Sequence, residues 1–338
     1  MTGKPGQGGM DLQKLTQLHF TFAPSRILTA ALQLQVFSHI AAGNKTAPEI
    51  AHAAGASERG MRMLLDALVG FELLGKTNGQ YTLPPATAQY LVRQSPDYVG
   101  LIHENDDLWN AWSHLTDAVR TGKPVRAVNQ KERAEDFFPT VVRGLHVTNR
   151  ELARRLAEAL GAGQARHGLR VVDVACGSGV WGIAIAEADK DARVTAQDFP
   201  RVLDLTRQYL TQHRVLNRYD FLSGDLKAVD FGEARFDLAL LGNIVHSEGA
   251  ASSRNLLKRL HRALKPGGRI AILDMIPNDD RSGPPFALLF ALNMLVNTDE
   301  GDTYTLAEYT EWLEEAGFHR VGTTDIGSHS PAIVATKS

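Results

Sequence analysis

The chain has 338 residues, of which 43% are hydrophobic and 22% charged. This length exceeds that of one average domain and predicts two, and the composition is that of an ordinary globular protein. Lys and Arg (36) nearly balance Asp and Glu (38), giving a net charge of −2. This balance argues against a general attraction to nucleic acid or to an anionic membrane surface.

Cysteine content and the N-terminus bear on the compartment. The single cysteine, Cys176, excludes an internal disulfide and fits a reducing environment. Residues 1–10 lack the apolar core of a signal peptide, and we expect residues 1–19 to form a disordered tail. The most apolar stretch, residues 286–296, is too short for the ~20 residues that span a bilayer. These features predict a cytoplasmic protein.

The segment 20–97 has the element order of a winged helix. Residues 27–41 form a strongly apolar helical run, and Thr46 and Glu49 have the spacing of a capping box at the start of a further helix. The dipeptide at residues 78–79, Asn-Gly between short apolar runs, predicts a β-hairpin. A helix, a helix-turn-helix and a hairpin in this order make a winged-helix domain.

A winged helix raises the hypothesis of DNA binding. Its recognition helix would be residues 57–71, which carry Arg59 and Arg62 but also Glu58 and Asp66, among mostly apolar residues. A helix that reads a DNA groove normally has a polar, basic face. We therefore favour a packing or dimerisation module over nucleic-acid binding.

Residues 98–165 are predicted to be connecting helices. Helical patterns occupy residues 101–120 and 149–160, another helical stretch follows residue 136, and the sequence Gly-Ala-Gly at 161–163 marks a linker. The aromatic residues here are either core residues or walls of a substrate pocket, because binding sites favour domain junctions.

Residues 169–198 form a β-turn-α-β unit. An apolar, β-branched strand (169–174) is followed by a glycine loop (175–179), a helix (180–188) and a second strand (192–197). The glycines permit positive φ angles, and the loop brings a helix N-terminus to a ligand. This unit is typical of a nucleotide-binding site.

The residues of this unit distinguish between cofactors. Gly177, Gly179 and Gly182 match the G-x-G-x-x-G of dinucleotide sites, and Asp198 lies at the distance of their ribose-binding acid. Asp173, however, lies inside the strand, where an NAD site prefers a small apolar residue. An acid there suits a cationic ligand such as S-adenosylmethionine (SAM). We favour SAM over a nicotinamide or flavin.

Further strands at residues 219–223, 236–241 and 269–273 complete the pattern. In an open α/β sheet, ligands bind beyond the carboxyl ends of the strands. The polar or glycine residues that fall at these ends are Gly177, Asp198, Asp225, His246 and Asp274. This common position predicts one binding site at that edge.

The motif order DVACGSG, AQDFP, GDL, FDLALLGNIVH and LKPGGRIAILD resembles that of class I SAM-dependent methyltransferases. With the winged-helix segment, residues 20–338 are similar to small-molecule O-methyltransferases, including plant caffeate and flavonoid enzymes and bacterial polyketide and phenazine relatives. The resemblance implies an α/β fold: a Rossmann-like parallel sheet with an antiparallel last strand over residues 166–338, after a winged-helix dimerisation domain. It also implies SAM as cofactor, a small-molecule acceptor and a homodimer through the N-terminal domain.

The resemblance places a set of residues around the cofactor, namely Asp173, Gly177, Gly179, Asp198, Phe199, Asp225, Leu226 and Asn243. Asp173 and the two glycines would hold the methionine part of SAM. Asp198 would bind the ribose hydroxyls, and Asp225 with Leu226 would frame the adenine.

His246 matches the catalytic histidine of the family, which follows the fourth strand. Transfer to a hydroxyl requires removal of the acceptor proton near the moment of attack, and a neutral imidazole is available for this at pH 7. We expect His246 to be the general base and Asp274 to orient it. The family has a glutamate, one methylene longer, where this chain has Asp274.

The family's second acid has no counterpart in register. The matching position is Thr303, and Asp302 is adjacent but out of register. The usual His-Asp-Trp sequence is replaced by His-Ser-Glu at residues 246–248. Glu248 and Asp302 are the two candidates for the missing acid, so the base mechanism and the acceptor atom stay open.

The favoured function is methyl transfer from SAM to a hydroxyl of a small aromatic or polyketide-like acceptor. A relative that methylates carbon, or that uses SAM for other chemistry, is one alternative, and a SAM-sensing winged-helix regulator is another. A metal site is not predicted, because His246 with Glu248 or Asp274 is too small a ligand set. Residues 286–296 predict a buried helix, with Asn293 as its one polar residue.

Overall fold

The computed structural model describes residues 10–104, 106–125 and 131–338, including all their side chains except those of 131–140. Two compact units make up the chain, Met1–Asp106 and Asp107–Ser338. The finer division into four segments stays a prediction. In the described residues, no helix has both the length and the apolar character needed to cross a membrane.

The first unit consists of short helices around one hairpin. Its helices are α1 (Leu12–His19), α2 (Phe22–Gln33), α3 (Val36–Ala41), α4 (Ala47–Ala53), α5 (Glu58–Gly70) and α6 (Pro85–Leu91), and its strands are β1 (Gly75–Thr77) and β2 (Gln80–Thr82). Phe37, Ile50, Leu65 and Tyr81 are fully or almost fully buried in its core.

The capping box and the hairpin predicted for this unit are both present. The Thr46 side chain accepts from the backbone of Glu49, whose carboxylate accepts from the Thr46 N–H, so the capping box is confirmed. Asn78 and Gly79 take φ angles of 50° and 75°. Two positive φ angles match the right-handed twist of a two-residue hairpin, which is also confirmed.

Two segments of this unit differ from expectation. Residues 27–41 are not one helix, because Gln35 takes a left-handed φ of 50° and separates α2 from α3. Within residues 1–19, expected to be disordered, α1 forms with Asp11 accepting from Lys14 N at 2.8 Å as its N-cap, although none of its side chains is buried. Residues 1–9 lie outside the described residues.

The second unit is an α/β sheet domain. Its elements are α7 (Asp107–Ser113), α8 (Leu115–Thr121), α9 (Lys131–Ala159), β3 (Arg170–Val174), α10 (Val180–Ala188), β4 (Arg193–Asp198), α11 (Pro200–Gln212), β5 (Tyr219–Ser223), β6 (Phe236–Gly242), α12 (Ala250–Ala263), β7 (Leu264–Leu273), α13 (Pro285–Asn297), α14 (Leu306–Glu315), β8 (Phe318–Thr324) and β9 (Ala332–Lys337).

The seven strands have the order β5-β4-β3-β6-β7-β9-β8. β3 to β7 pair in parallel, and β9 runs antiparallel to both β7 and β8. The predicted parallel sheet with an antiparallel last strand is confirmed. Successive side chains face opposite sides: Val171 belongs to one apolar cluster and Val172 to the other. Because β3 to β7 are parallel, their carboxyl ends lie at one edge of the sheet.

The connecting helices were predicted wrongly in part. Residues 101–120 are not one helix: a 3-10 turn at Gly100–Ile102 precedes α7, and the non-helical backbone of His114 separates α7 from α8. The stretches after residue 136 and at 149–160 are instead one helix, α9. Burial of Ala153 and Leu156 in the apolar cluster that α9 shares with α10 stabilises its C-terminal part.

The prediction that residues 286–296 form a buried helix is also wrong in its burial. The helix exists as α13, but Phe286, Leu289 and Leu292 are 44%, 53% and 38% exposed. Asn293 accepts a hydrogen bond from Trp112 Nε1 at 3.1 Å.

Candidate active site

The glycine loop between β3 and α10 turns sharply. Ala175, Gly177 and Gly179 have φ angles of 49°, 57° and 76°. Glycine adopts such angles freely, whereas alanine does so at a cost. A Cβ atom on Gly177 would lie 3.3 Å from Cγ2 of Val142 in α9. The backbone angle and the close approach of Val142 therefore both favour glycine at residue 177.

Asp198 ends β4 and holds this loop. Its Oδ2 accepts from Gly177 N at 2.9 Å, and its Oδ1 accepts from Phe199 N at 2.7 Å. Burial raises the pKa of the Asp198 carboxyl to about 6, although both backbone hydrogen bonds lower it. A ligand that donates to this carboxylate would favour its charged form.

Gln197, which sequence reasoning missed, ties the loop to its neighbours. Its Oε1 accepts from Ala175 N at 3.1 Å, its backbone oxygen accepts from Cys176 N at 3.0 Å, and its Nε2 donates to Gly224 O at 2.8 Å. The signal in the sequence is a polar residue, buried in the structure, immediately before the strand-ending acid.

Asp173 is fully buried within β3. Its Oδ2 accepts from Gly182 N at 3.0 Å, while its Oδ1 has no hydrogen-bond partner among the described residues. Burial, with a smaller contribution from the charge of Asp198, raises the pKa of its carboxyl to about 8. An unsatisfied buried acceptor of this kind is stabilised by a donor or a cation.

Other buried side chains surround the loop. Burial raises the pKa of the Cys176 thiol well above its usual value, so the thiol is neutral and packs as a small side chain. His146 in α9, a residue not singled out from the sequence, places its Nδ1 3.0 Å from Oγ of Ser178 and stacks on Tyr209. α9 therefore contacts the loop through polar as well as apolar groups.

The remaining predicted cofactor residues lie at the same edge of the sheet. Asp225 follows β5, and its Oδ1 accepts from Lys227 N at 2.8 Å in a turn beside the buried Leu226. Asn243 follows β6 with a φ of 60°, and its N–H donates to Leu273 O at 2.8 Å.

His246 and Asp274 form a buried pair after β6 and β7. Nδ1 of His246 lies 2.5 Å from Oδ1 of Asp274, and His246 N donates to Oδ2 at 3.0 Å. The carboxylate assigns the imidazole proton to Nδ1 and leaves Nε2 as an acceptor. The ring of Phe290 meets the imidazole edge-on, with centroids 4.9 Å apart. This arrangement can accept a proton at Nε2.

Glu248 does not join this pair. Its Oε2 accepts from Ser252 Oγ at 2.7 Å and lies 3.2 Å from Lys227 Nζ, and the residue is buried. Within the portion of the chain described, no group of three or more His, Cys, Asp or Glu residues comes together as a metal site.

Asp302 and Thr303 lie beside His246 without supplying a second acid. Asp302 N donates to His246 O at 3.0 Å, while its carboxylate accepts from Thr303 N at 2.7 Å. Thr303 is fully buried. The group that does reach Asp274 is the hydroxyl of Tyr309, at 3.0 Å from Oδ2, and sequence reasoning did not identify it.

Comparisons with known proteins cover both units. A model of the O-methyltransferase domain matches residues 112–319, and a model of the O-methyltransferase dimerisation domain matches residues 16–93. A 3-hydroxy-5-methyl-1-naphthoate 3-O-methyltransferase from Streptomyces sahachiroi is 32% identical over 93% of this chain and 91% of its own. The tetracenomycin polyketide synthesis 8-O-methyl transferase from Streptomyces glaucescens is 31% identical over 96% of each chain.

A solved structure agrees in fold. Human N-acetylserotonin methyltransferase in complex with SAM superposes with a TM-score of 0.84 at 25% identity, covering 99% of this chain and 100% of that one.

Proposed function

The chain belongs to the SAM-dependent O-methyltransferase family with an N-terminal dimerisation domain, and on that premise we propose that it methylates a hydroxyl of a small aromatic or polyketide-like acceptor with His246 as general base. The observation that carries the proposal is the buried His246–Asp274 pair, which lies at the same edge of the sheet as the glycine loop.

The residues at this edge fit SAM. The unpartnered, buried Oδ1 of Asp173 suits an ammonium group, and Asp198 suits ribose hydroxyls. The turn of Asp225 and Leu226 offers a carboxylate and an apolar face for adenine. When bound, SAM supplies an electrophilic methyl group on its sulfonium.

The chain's own contribution is positioning and proton transfer. Asp274 holds the Nδ1–H of His246, so Nε2 can take the hydroxyl proton of the acceptor. The same carboxylate stabilises the imidazolium that forms. A positioned general base of this type contributes about 10²- to 10⁴-fold in rate.

The acceptor class is inferred from two sources. Relatives named for a hydroxynaphthoate and for tetracenomycin polyketide synthesis support an aromatic or polyketide-like phenol. Phe290 supplies an aromatic side chain directly beside His246, where a planar acceptor would lie. Neither the relatives' names nor the position of Phe290 favours carbon methylation or a SAM-sensing regulator.

The match to the dimerisation domain over residues 16–93 supports a homodimer. We further propose a cytoplasmic location, because the single cysteine, Cys176, fits a reducing compartment.

The test is methyl transfer from SAM carrying a ¹³C-labelled methyl group to a panel of naphthols, hydroxynaphthoates and polyketide phenols. We expect products whose methyl carbon has the NMR chemical shift of an aryl methyl ether. A product with the methyl group on carbon, or SAM binding without transfer to any phenol, would contradict it.

A further inference from the structure

The position that matches the family's second acid is occupied by a residue without charge. Thr303 is fully buried, and its Oγ1 has no hydrogen-bond partner in the residues that the structure describes. Its backbone oxygen accepts from Arg281 Nη1 at 2.9 Å. Thr303 thus provides no carboxylate and no hydrogen bond through its side chain to the His246–Asp274 pair.

Tyr309 reaches Asp274 from α14. Its hydroxyl donates to Oδ2 at 3.0 Å, the same oxygen that accepts from His246 N, while Oδ1 faces the imidazole. Both residues are buried, and burial, with the charge of Asp274, raises the pKa of the Tyr309 hydroxyl well above 10. The hydroxyl is therefore protonated at physiological pH and acts as a donor to a carboxylate, which is a strong type of hydrogen bond.

The packing of α14 determines where this hydroxyl lies. The Tyr309 ring meets Tyr304 and Trp312 at steep angles, with centroids 6.1 Å and 5.8 Å apart. The helix starts at a capping box formed by Thr305 and Glu308. A capped helix and an aromatic cluster leave the hydroxyl little freedom to move away from Asp274.

We propose that Tyr309 is the positioning residue that replaces the missing second acid and holds the Asp274 carboxylate against Nδ1 of His246. This inference rests on the proposed role of His246 as general base. It assigns the task neither to Glu248, which Ser252 and Lys227 engage, nor to Asp302, whose carboxylate accepts from the backbone N–H of Thr303. Because the Tyr309 hydroxyl is neutral, it adds no second carboxylate charge to that of Asp274 beside the imidazole.

The test is Tyr309→Phe, which removes one oxygen atom and keeps the ring. We expect kcat to fall about 10-fold, as for loss of a group that orients a functional residue, with KM for the acceptor and Kd for SAM unchanged within about 2-fold. The matched control is Tyr304→Phe, since the Tyr304 hydroxyl belongs to the same cluster but donates to Glu248 O at 2.6 Å. The control should retain kcat within about 2-fold.

A double-mutant cycle separates positioning from a general structural effect. In the His246→Ala background, Tyr309→Phe should change the residual rate by less than about 2-fold, because its effect acts through the imidazole. With His246 present, Tyr309→Phe should also move the acid limb of the kcat–pH profile to higher pH, since the Asp274 charge is no longer partly offset by a donor.

Three kinetic outcomes would overturn the proposal: an unchanged kcat in Tyr309→Phe, an equal loss in Tyr304→Phe, or a 10-fold loss on adding Tyr309→Phe to His246→Ala.

A second measurement needs no Tyr309 variant: a slowly exchanging Tyr309 hydroxyl proton should be visible by NMR and should shift in Asp274→Asn. Its absence would also count against the proposal. If His246→Ala itself keeps the wild-type rate, the proposed base is wrong; if only Tyr309→Phe is silent, the base survives and this inference fails.

Discussion

Nδ1 of His246 and Oδ1 of Asp274 are 2.5 Å apart, and both residues are buried. The carboxylate also accepts from three other donors: the backbone N–H groups of His246 and Met275, and the hydroxyl of Tyr309. A carboxylate with this many donors is held rigidly, and it can hold the imidazole in turn.

Asp274→Asn should reduce kcat by about 10- to 100-fold, because an amide keeps the size of the side chain but no longer stabilises the imidazolium. SAM affinity should be unchanged, since no SAM contact is assigned to Asp274. Steady-state kinetics and calorimetry on the same preparation would check both. A variant with wild-type kcat would show that the pair is structural only.

Asp173→Asn should change how stability depends on pH. The Asp173 carboxyl has a pKa of about 8 when folded, against an ordinary value of 3.8, so the folded protein holds its proton more tightly than the unfolded chain. The free energy of unfolding therefore falls as the pH rises from about 4 to about 8.

The asparagine variant lacks this loss, because it buries no titratable carboxyl; for a pKa raised from 3.8 to about 8 the loss amounts to roughly 5 kcal/mol near pH 8. Near pH 4 the difference should be small. Urea unfolding at both pH values measures it, and SAM affinity should fall in the same variant. Parallel stability curves for the two proteins would contradict the assignment of an unpaired buried carboxyl.

We expect the affinity for SAM to depend on pH, because Asp198 is proposed to bind the ribose hydroxyls. Its pKa of about 6 in the ligand-free protein means that binding, which favours the carboxylate, weakens as the pH falls through about 6. Asp198→Asn should weaken SAM binding by about 100-fold near pH 7.5, a loss in the range of hydrogen bonds to a charged group, and flatten this dependence. Asp204→Asn, an exposed change on α11, is the control and should bind as wild type does. Equal affinities for the two variants would remove Asp198 from the cofactor site.

The sheet and the glycine loop could be predicted because their signals are local. α10 begins and ends at the predicted residues 180 and 188, and β5 at residues 219 and 223, since an apolar run between turn residues marks each. The order of strand-ending residues then predicted that Asp198, His246 and Asp274 would share one edge.

The parts that were not predicted depend on tertiary contacts. The break between α2 and α3 at Gln35 could not be predicted, because no glycine or proline near this residue indicates a positive φ. The exposure of Leu289 on α13 depends on what covers a helix face, which composition does not reveal. The Tyr309–Asp274 hydrogen bond joins residues 35 positions apart. The helical pattern around Tyr309 predicts only a buried core side chain, not this partner.

The role of His246 as general base can be measured through the kcat of His246→Ala with an identified phenol acceptor and saturating SAM, alongside the Kd for SAM. We expect kcat to fall by about 10²- to 10⁴-fold with an unchanged Kd. A kcat within about 2-fold of wild type, in a variant that still binds SAM, would contradict the role of His246 as general base.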